Sequence, residues 1–423
     1  MSFEFRWNPF TDQPHNIAPR KERLRYHFRH AGSYVSLVLS NLRKAHPVLL
    51  LYRQYRKKIF RDQVNIETPF GLSVSPLEGR NEEVVEALKE LGISRSLVRI
   101  PSWEREKLEG FQEFSKLLND NKIELTIALL QQRNDVLDPS CWEGFLEDVF
   151  SSFSKVSSFF EIGHAWNRTK WGVWDYKEYL NLARPAVFLA EKYNAGLVGP
   201  AVIDFEFHLY PPVLKAIPFD KVSSLLYVDR VGAPENTQFG WDTSRKIALL
   251  KAVADGSSRR KSDLWITEVN WPLKGTGKYS PASGKPNVSE EEQAGYLVRY
   301  YILCRASGLV ERIYWWQLAA PGYGLIDSRG KEWRKRPSFY AMKTMVSQLE
   351  GSLFKEKIRH SQAKMFSFLK GDRNFVVCWT NGPSFDYFFD GRVVRVFNRD
   401  GKEIPPGNGR VKIDASPKYV FIE

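Results

Sequence analysis

The sequence predicts an α/β fold: a TIM (β/α)8 barrel followed by a small antiparallel β-domain, with a basic N-terminal extension. Three observations predict it. From Phe70 onward, eight short apolar runs alternate with stretches of helical periodicity, the pattern of repeated βα units. After the last helical stretch this texture gives way to β-rich runs separated by Gly, Asn, Asp and Pro. A chain of 423 residues also exceeds one average domain and accommodates a barrel of about 250 residues with smaller additions.

The eight expected strands begin with FGLSVS (70–75), SLVRIPS (96–102) and IELTIALL (123–130). FFEIGHA (159–165), GLVGPAVI (196–203) and SSLLYVD (223–229) follow, then DLWITEV (263–269) and RIYWWQL (312–318). Helical stretches such as NEEVVEALKELGI lie between them, and this one stops at Gly92, a residue suited to the left-handed cap of a helix. Eight units favour a closed barrel over an open doubly wound sheet. No GxGxxG follows the first strand, which argues against dinucleotide binding. The divisions expected are an extension over 1–68, the barrel over 69–352 and the β-domain over 353–423.

Hydrophobic content of 43% supports a large core. Three distant cysteines, Cys141, Cys304 and Cys378, have neither metal-ligand spacing nor the pattern of a disulfide framework. With no His/Cys cluster and no phosphate loop, no metal or organic cofactor is implied. No apolar run reaches the roughly 18 residues of a membrane span, and Met1 to Pro19 lacks the features of a secretory signal, so a cytoplasmic protein is the expectation. The net charge of +13 is concentrated: twelve Lys or Arg and one acid, Glu22, lie between Arg20 and Arg61. Apolar residues interleave with these cations, interrupted by Gly32 and Pro47. Residues 20–61 therefore suit an anionic membrane surface such as the inner membrane face, or a helical extension packed on the barrel. Nucleic acid is not expected, since no recognised binding module accompanies the charge.

Catalytic residues of such barrels sit where strands end at the C-terminal face. The seventh strand ends in WITEVNW, and Glu268 within it is costly to bury unless paired or used. Arg99 on the second strand can orient this carboxylate and keep it ionised. The last strand supplies Trp315 and Trp316, of which one should face the cleft because strand neighbours alternate.

These runs carry a resemblance. WITEVNWP resembles the nucleophile strand of clan A retaining glycoside hydrolases, IYWWQL their last strand and VRIPSWE their second, while SPKYVFIE is similar to the closing strand of an accompanying β-domain. The resemblance covers about residues 70–423 and implies Glu268 as nucleophile, with Tyr227 at a position that contacts it. Strand four departs from the pattern. Clan A proteins carry E-I-G-N-E-x-N there, whereas this chain reads Glu161-Ile162-Gly163-His164-Ala165-Trp166-Asn167. Ala165 thus stands in the acid/base position and cannot donate a proton. Glu161 lies roughly 13 Å back at about 3.3 Å per residue.

Three routes remain open. A carboxylate at another strand end can serve, from Asp135, Asp204, Glu206, Asp229 and Glu235, although each also suits a loop ion pair. His164 can titrate near neutrality. A leaving group such as phosphate needs no acid at all. His164, Asn167, Tyr227, Asp229, Arg99, Trp315 and Trp316 are the expected substrate contacts. The implied function is a carbohydrate-active enzyme that cleaves or transfers glycosyl units of a surface polysaccharide or its precursor, taking a glycan or an activated sugar as substrate. A catalytically inactive glycan-binding barrel is the alternative.

Overall fold

In the computed structural model, residues 5–15, 19–67, 69–228, 232–258, 261–281, 287–405, 407 and 409–423 are described. Eight parallel strands close a barrel: β1 (Phe70–Val74), β2 (Arg95–Pro101), β3 (Glu124–Leu130), β4 (Ser157–Ile162), β5 (Gly196–Ile203), β6 (Lys221–Leu225), β7 (Asp263–Val269) and β8 (Val310–Trp315). β8 pairs with β1 to complete the circle. Each strand falls on one of the runs expected from the sequence.

Side chains fill the barrel. Thr126 on β3 and Tyr314 on β8, which are not neighbours in the sheet, share a 2.9 Å hydrogen bond across the interior. The rings of Phe159 and Trp265 meet across it at 5.0 Å. A larger apolar layer, with Phe114, Leu146, Leu250 and Met342 fully buried, joins the outer faces of the strands to the helices. Local chemistry sets the helix ends. Gly92 closes the helix Asn81–Leu91 at φ 72°, a left-handed position where glycine carries no Cβ penalty. Asp175 accepts from the Lys177 and Glu178 amides to start Tyr176–Tyr193, and Ser289 with Glu292 forms a capping box for Glu290–Arg305.

The basic segment forms two helices, α1 (Arg20–Arg29) and α2 (Ala31–Lys58). The expected interruptions at Gly32 and Pro47 do not occur, because α2 runs through both. Pro47 forfeits one backbone hydrogen bond, and tertiary packing offsets the loss. Val48 lies against Gly256 of the barrel helix Thr243–Ser257, Tyr55 donates to Asp255, and Asn41 donates to the His208 carbonyl at 2.8 Å. The outward side of the two helices exposes apolar residues among its cations: Leu24, Phe28, Val35, Val38, Leu42, Leu49 and Leu50. No helix among the described residues is long and apolar enough to cross a membrane.

Beyond the barrel, strands Ser352–Ile358, Ala363–Lys370, Arg373–Thr380, Lys418–Ile422, Val393–Asn398 and Glu403–Ile404 build an antiparallel sheet, and Val64–Ile66 adds to its edge. A small antiparallel hairpin, with Trp7–Asn8 paired to Gln13–Pro14, lies over the C-terminal mouth of the barrel. Trp7 holds it there, its ring 5.0 Å from Trp103 and 6.1 Å from Trp171.

Candidate active site

Strict alternation along β7 would put Glu268 on the face opposite Trp265, which points into the barrel. The pairing of β7 with β8 shifts register between Ile266 and Val269, a bulge-type irregularity. Thr267 and Glu268 consequently both face inward, while Val269 pairs with Trp315 in the outer layer. One extra residue in the ladder thereby aims the carboxylate at the axis of the barrel.

Glu268 is 7% exposed and lines a cavity of about 130 Å³. Arg99 from β2 donates through Nη2 to Oε2, and the Tyr227 hydroxyl donates to Oε1. Trp316 lies under the guanidinium, its ring centroid 3.2 Å from Cζ. Burial lowers the Arg99 pKa to about 10, with Tyr227, Tyr323, Asp12 and Glu161 opposing the shift, so the cation persists at neutral pH. His164 Nε2 stands 3.5 Å from Glu268 Oε2. Burial, reinforced by the charges of Arg99 and Lys170, pushes its pKa well below the ordinary value and keeps the imidazole neutral. It therefore carries no proton to give near pH 7. Ala165 lines the same cavity beside it.

Two expected contacts are corrected. Trp315 does not reach the cavity: it faces the helices and stacks on Trp271 at 5.9 Å, because alternation on β8 turns Tyr314 and Trp316 inward. Asn167 does not line the cavity: it braces the backbone of Ile203, donating to its carbonyl and accepting from its amide, each at 3.0 Å. Asp229 lies outside the described residues.

The strand-end carboxylates have structural partners. Arg168 holds Asp204 at 2.7 Å and also Glu206, and Arg299 holds Glu235 at 3.0 Å. Asp135 caps the short helix Arg133–Leu137 and accepts from Ser102. Glu161, buried on β4, faces Ser223 and Thr267, and burial raises its pKa. Among the described residues no group of three or more His, Cys, Asp and Glu is placed to hold a metal ion.

One carboxylate escaped the sequence reading. The N-terminal hairpin contributes Thr11, Asp12 and Gln13 to the cavity wall. Asp12 Oδ2 accepts from Gln317 Nε2 at 3.0 Å and from the Tyr323 hydroxyl, and Lys170 donates to Gln13. Burial raises the Asp12 pKa above the ordinary carboxylate value, against the lowering effect of Tyr323, Arg99 and Gln317. No periodicity or motif in residues 1–19 marks Asp12, since its placement depends on contacts with loops some 300 positions away.

No family model matches the chain, and no curated protein does. Solved structures match its fold. A family 39 glycoside hydrolase from Bacteroides cellulosilyticus WH2 aligns at a TM-score of 0.66 and 16% identity, covering 84% of this chain and 81% of that one. A GH30 endoxylanase from Clostridium papyrosolvens C71 aligns at 0.57 and 13%, covering 86% and 98%. A GH51 arabinofuranosidase from Xanthomonas axonopodis pv. citri aligns at 0.56 and 13%, covering 86% and 97%. At these identities the likeness is one of fold, and the three matched structures are glycoside hydrolases of families 39, 30 and 51.

Proposed function

We propose that the chain is a carbohydrate-active enzyme of the retaining glycosidase kind, with Glu268 as its nucleophile. The observation that carries this reading is the setting of Glu268: a buried carboxylate lining a cavity, fixed on one oxygen by Arg99 and on the other by Tyr227. A guanidinium against a carboxylate favours its charged form, the form that attacks an anomeric carbon. Trp316 adds an aromatic wall to the cavity, and His164, neutral, offers a hydrogen bond to a sugar hydroxyl. The substrate is a glycosyl unit of a surface polysaccharide or its precursor, cleaved or transferred, with an activated donor as one form of it.

Trapping tests this. Incubation with 2-deoxy-2-fluoro glycosides bearing dinitrophenolate should leave a glycosyl mass on the peptide containing Glu268. The 2-fluoro group slows both formation and breakdown of the ester, and the good leaving group restores its formation alone, so the adduct accumulates. Ala165 favours a second reading, a barrel that holds a glycan without turning it over. Saturable glycan binding with no adduct from any donor would establish that reading and remove the first.

The N-terminal helices belong to the same proposal as a membrane-surface contact. The exposed Val35, Val38, Leu42, Leu49 and Leu50 lie between clusters of cations at Arg20–Arg29 and Arg53–Arg61. An apolar stripe with basic flanks matches an anionic lipid interface. The full chain should sediment with phosphatidylserine-containing vesicles, and substitution of Val35, Val38 and Leu42 by Ser together should reduce that fraction several-fold. Raising salt should weaken it further by screening. Equal sedimentation of the substituted protein would exclude the contact.

A further inference from the structure

The cavity that holds Glu268 has a wall that the barrel does not supply. Residues 11–13 of the N-terminal hairpin form it, and Asp12 is the carboxyl group they bring. We propose that Asp12 is the proton donor and acceptor of this site, filling from outside the barrel the role that Ala165 leaves open on β4. The proposal rests on the reading of Glu268 as a nucleophile.

Several observations converge on it. Asp12 and Glu268 line one cavity, whereas Asp135, Asp204, Glu206 and Glu235 are engaged in caps or ion pairs elsewhere. Asp12 sits at φ 50°, a left-handed conformation that aspartate tolerates better than most residues, at the end of the hairpin turn. Its Oδ2 accepts from Gln317 and Tyr323, both buried, which fixes the carboxyl and leaves Oδ1 as the oxygen that carries a proton. Burial favours the protonated form, as a general acid needs near neutrality. Trp7, against Trp103 and Trp171, and the Lys170–Gln13 hydrogen bond hold the hairpin in place.

The chemistry closes in two steps. A Glu268 oxygen bonds to the anomeric carbon as the bond from that carbon to the leaving oxygen breaks. The electron pair stays on the leaving oxygen, which takes the proton from Asp12. Asp12, now a carboxylate, then takes a proton from water or an acceptor hydroxyl. That oxygen bonds to the anomeric carbon, and the ester bond to Glu268 breaks.

Asp12→Asn tests this, because asparagine keeps the shape and the left-handed preference but offers no proton. On alkyl glycosides its kcat/KM should fall by about 10²–10⁴-fold, the usual worth of general acid catalysis. Formation of the Glu268 adduct from a dinitrophenyl donor should stay within a few-fold of wild type. The basic limb of the pH–rate profile should disappear, and Asp12→Glu should restore it. Azide should speed breakdown of the adduct in Asp12→Asn and yield the glycosyl azide. Thermal melting of each variant at the wild-type midpoint confirms that the fold is intact. Wild-type rates for Asp12→Asn on both classes of substrate, with the Glu268 adduct still forming, would overturn the role of Asp12 while leaving the nucleophile standing. No adduct in the wild-type protein itself would remove the nucleophile and, with it, any reaction for Asp12 to assist.

Discussion

Glu268→Gln should abolish glycosyl-adduct formation and lower turnover of dinitrophenyl glycosides by about 10⁴-fold or more, the scale on which loss of a covalent nucleophile is felt. Glutamine keeps the volume of the side chain and can still meet Arg99 and Tyr227, so the barrel should fold and any glycan affinity should survive. The contrast between binding and turnover is the informative result. If Glu268→Gln turned over activated donors at the wild-type rate, the carboxylate would have no covalent role, and its burial between Arg99 and Tyr227 would be structural only. Mass spectrometry of the trapped protein and steady-state kinetics measure the two quantities independently.

Replacing Arg336 by Met should destabilise the protein by about 3–5 kcal/mol, the cost of removing one partner from a buried ion pair. Arg336 is fully buried. It donates to the carbonyls of Ala320, Pro321 and Gly324 at 2.9, 2.6 and 2.7 Å, and lies 3.2 Å from Asp327 and 3.0 Å from Glu290. Methionine fills the space but leaves three carbonyls and two carboxylates without that partner. The loop so released carries Tyr323, which holds Asp12, so loss of stability and loss of activity should appear together.

The effect should depend on pH. Burial opposes ionisation of Asp327, yet Arg329 and Arg336 hold its carboxyl well below the ordinary range. A depressed carboxylate contributes stability that is full above its unfolded value, about 4, and lost as pH falls through the folded one. The gap between wild type and Arg336→Met, measured by urea unfolding, should therefore be widest at pH 6 and narrow towards pH 2. A gap independent of pH would mean that the carbonyl contacts, rather than the ion pair, account for the loss.

Much of the architecture was legible because it depends on local pattern. Runs such as IELTIALL and DLWITEV are apolar over a length that suits a strand buried on both faces, and β3 and β7 form where they occur. Gly92 marks a helix end because capping is settled within a few residues. Pro47 misled because the packing of α2 on Thr243–Ser257 outweighs one missing hydrogen bond.

For the candidate site the division is sharper. By itself the sequence determined which side chains arrive at the mouth of the barrel: a strand end carries Glu268, Arg99 or Trp316 whatever the rest of the chain does, because β-structure delivers residues by position. Strand four likewise lacks an acid at Ala165 from sequence alone. The tertiary structure alone decided direction and company. A register shift of β7 against β8 turned Glu268 inward, since a bulge exists only between two paired strands. Pairing also sent Trp315 outward against Trp271. Asp12 entered the cavity through contacts with Gln317 and Tyr323, separated from it by most of the chain. No local pattern encodes such a meeting: its energy comes from burial and hydrogen bonds that form only when the barrel has closed.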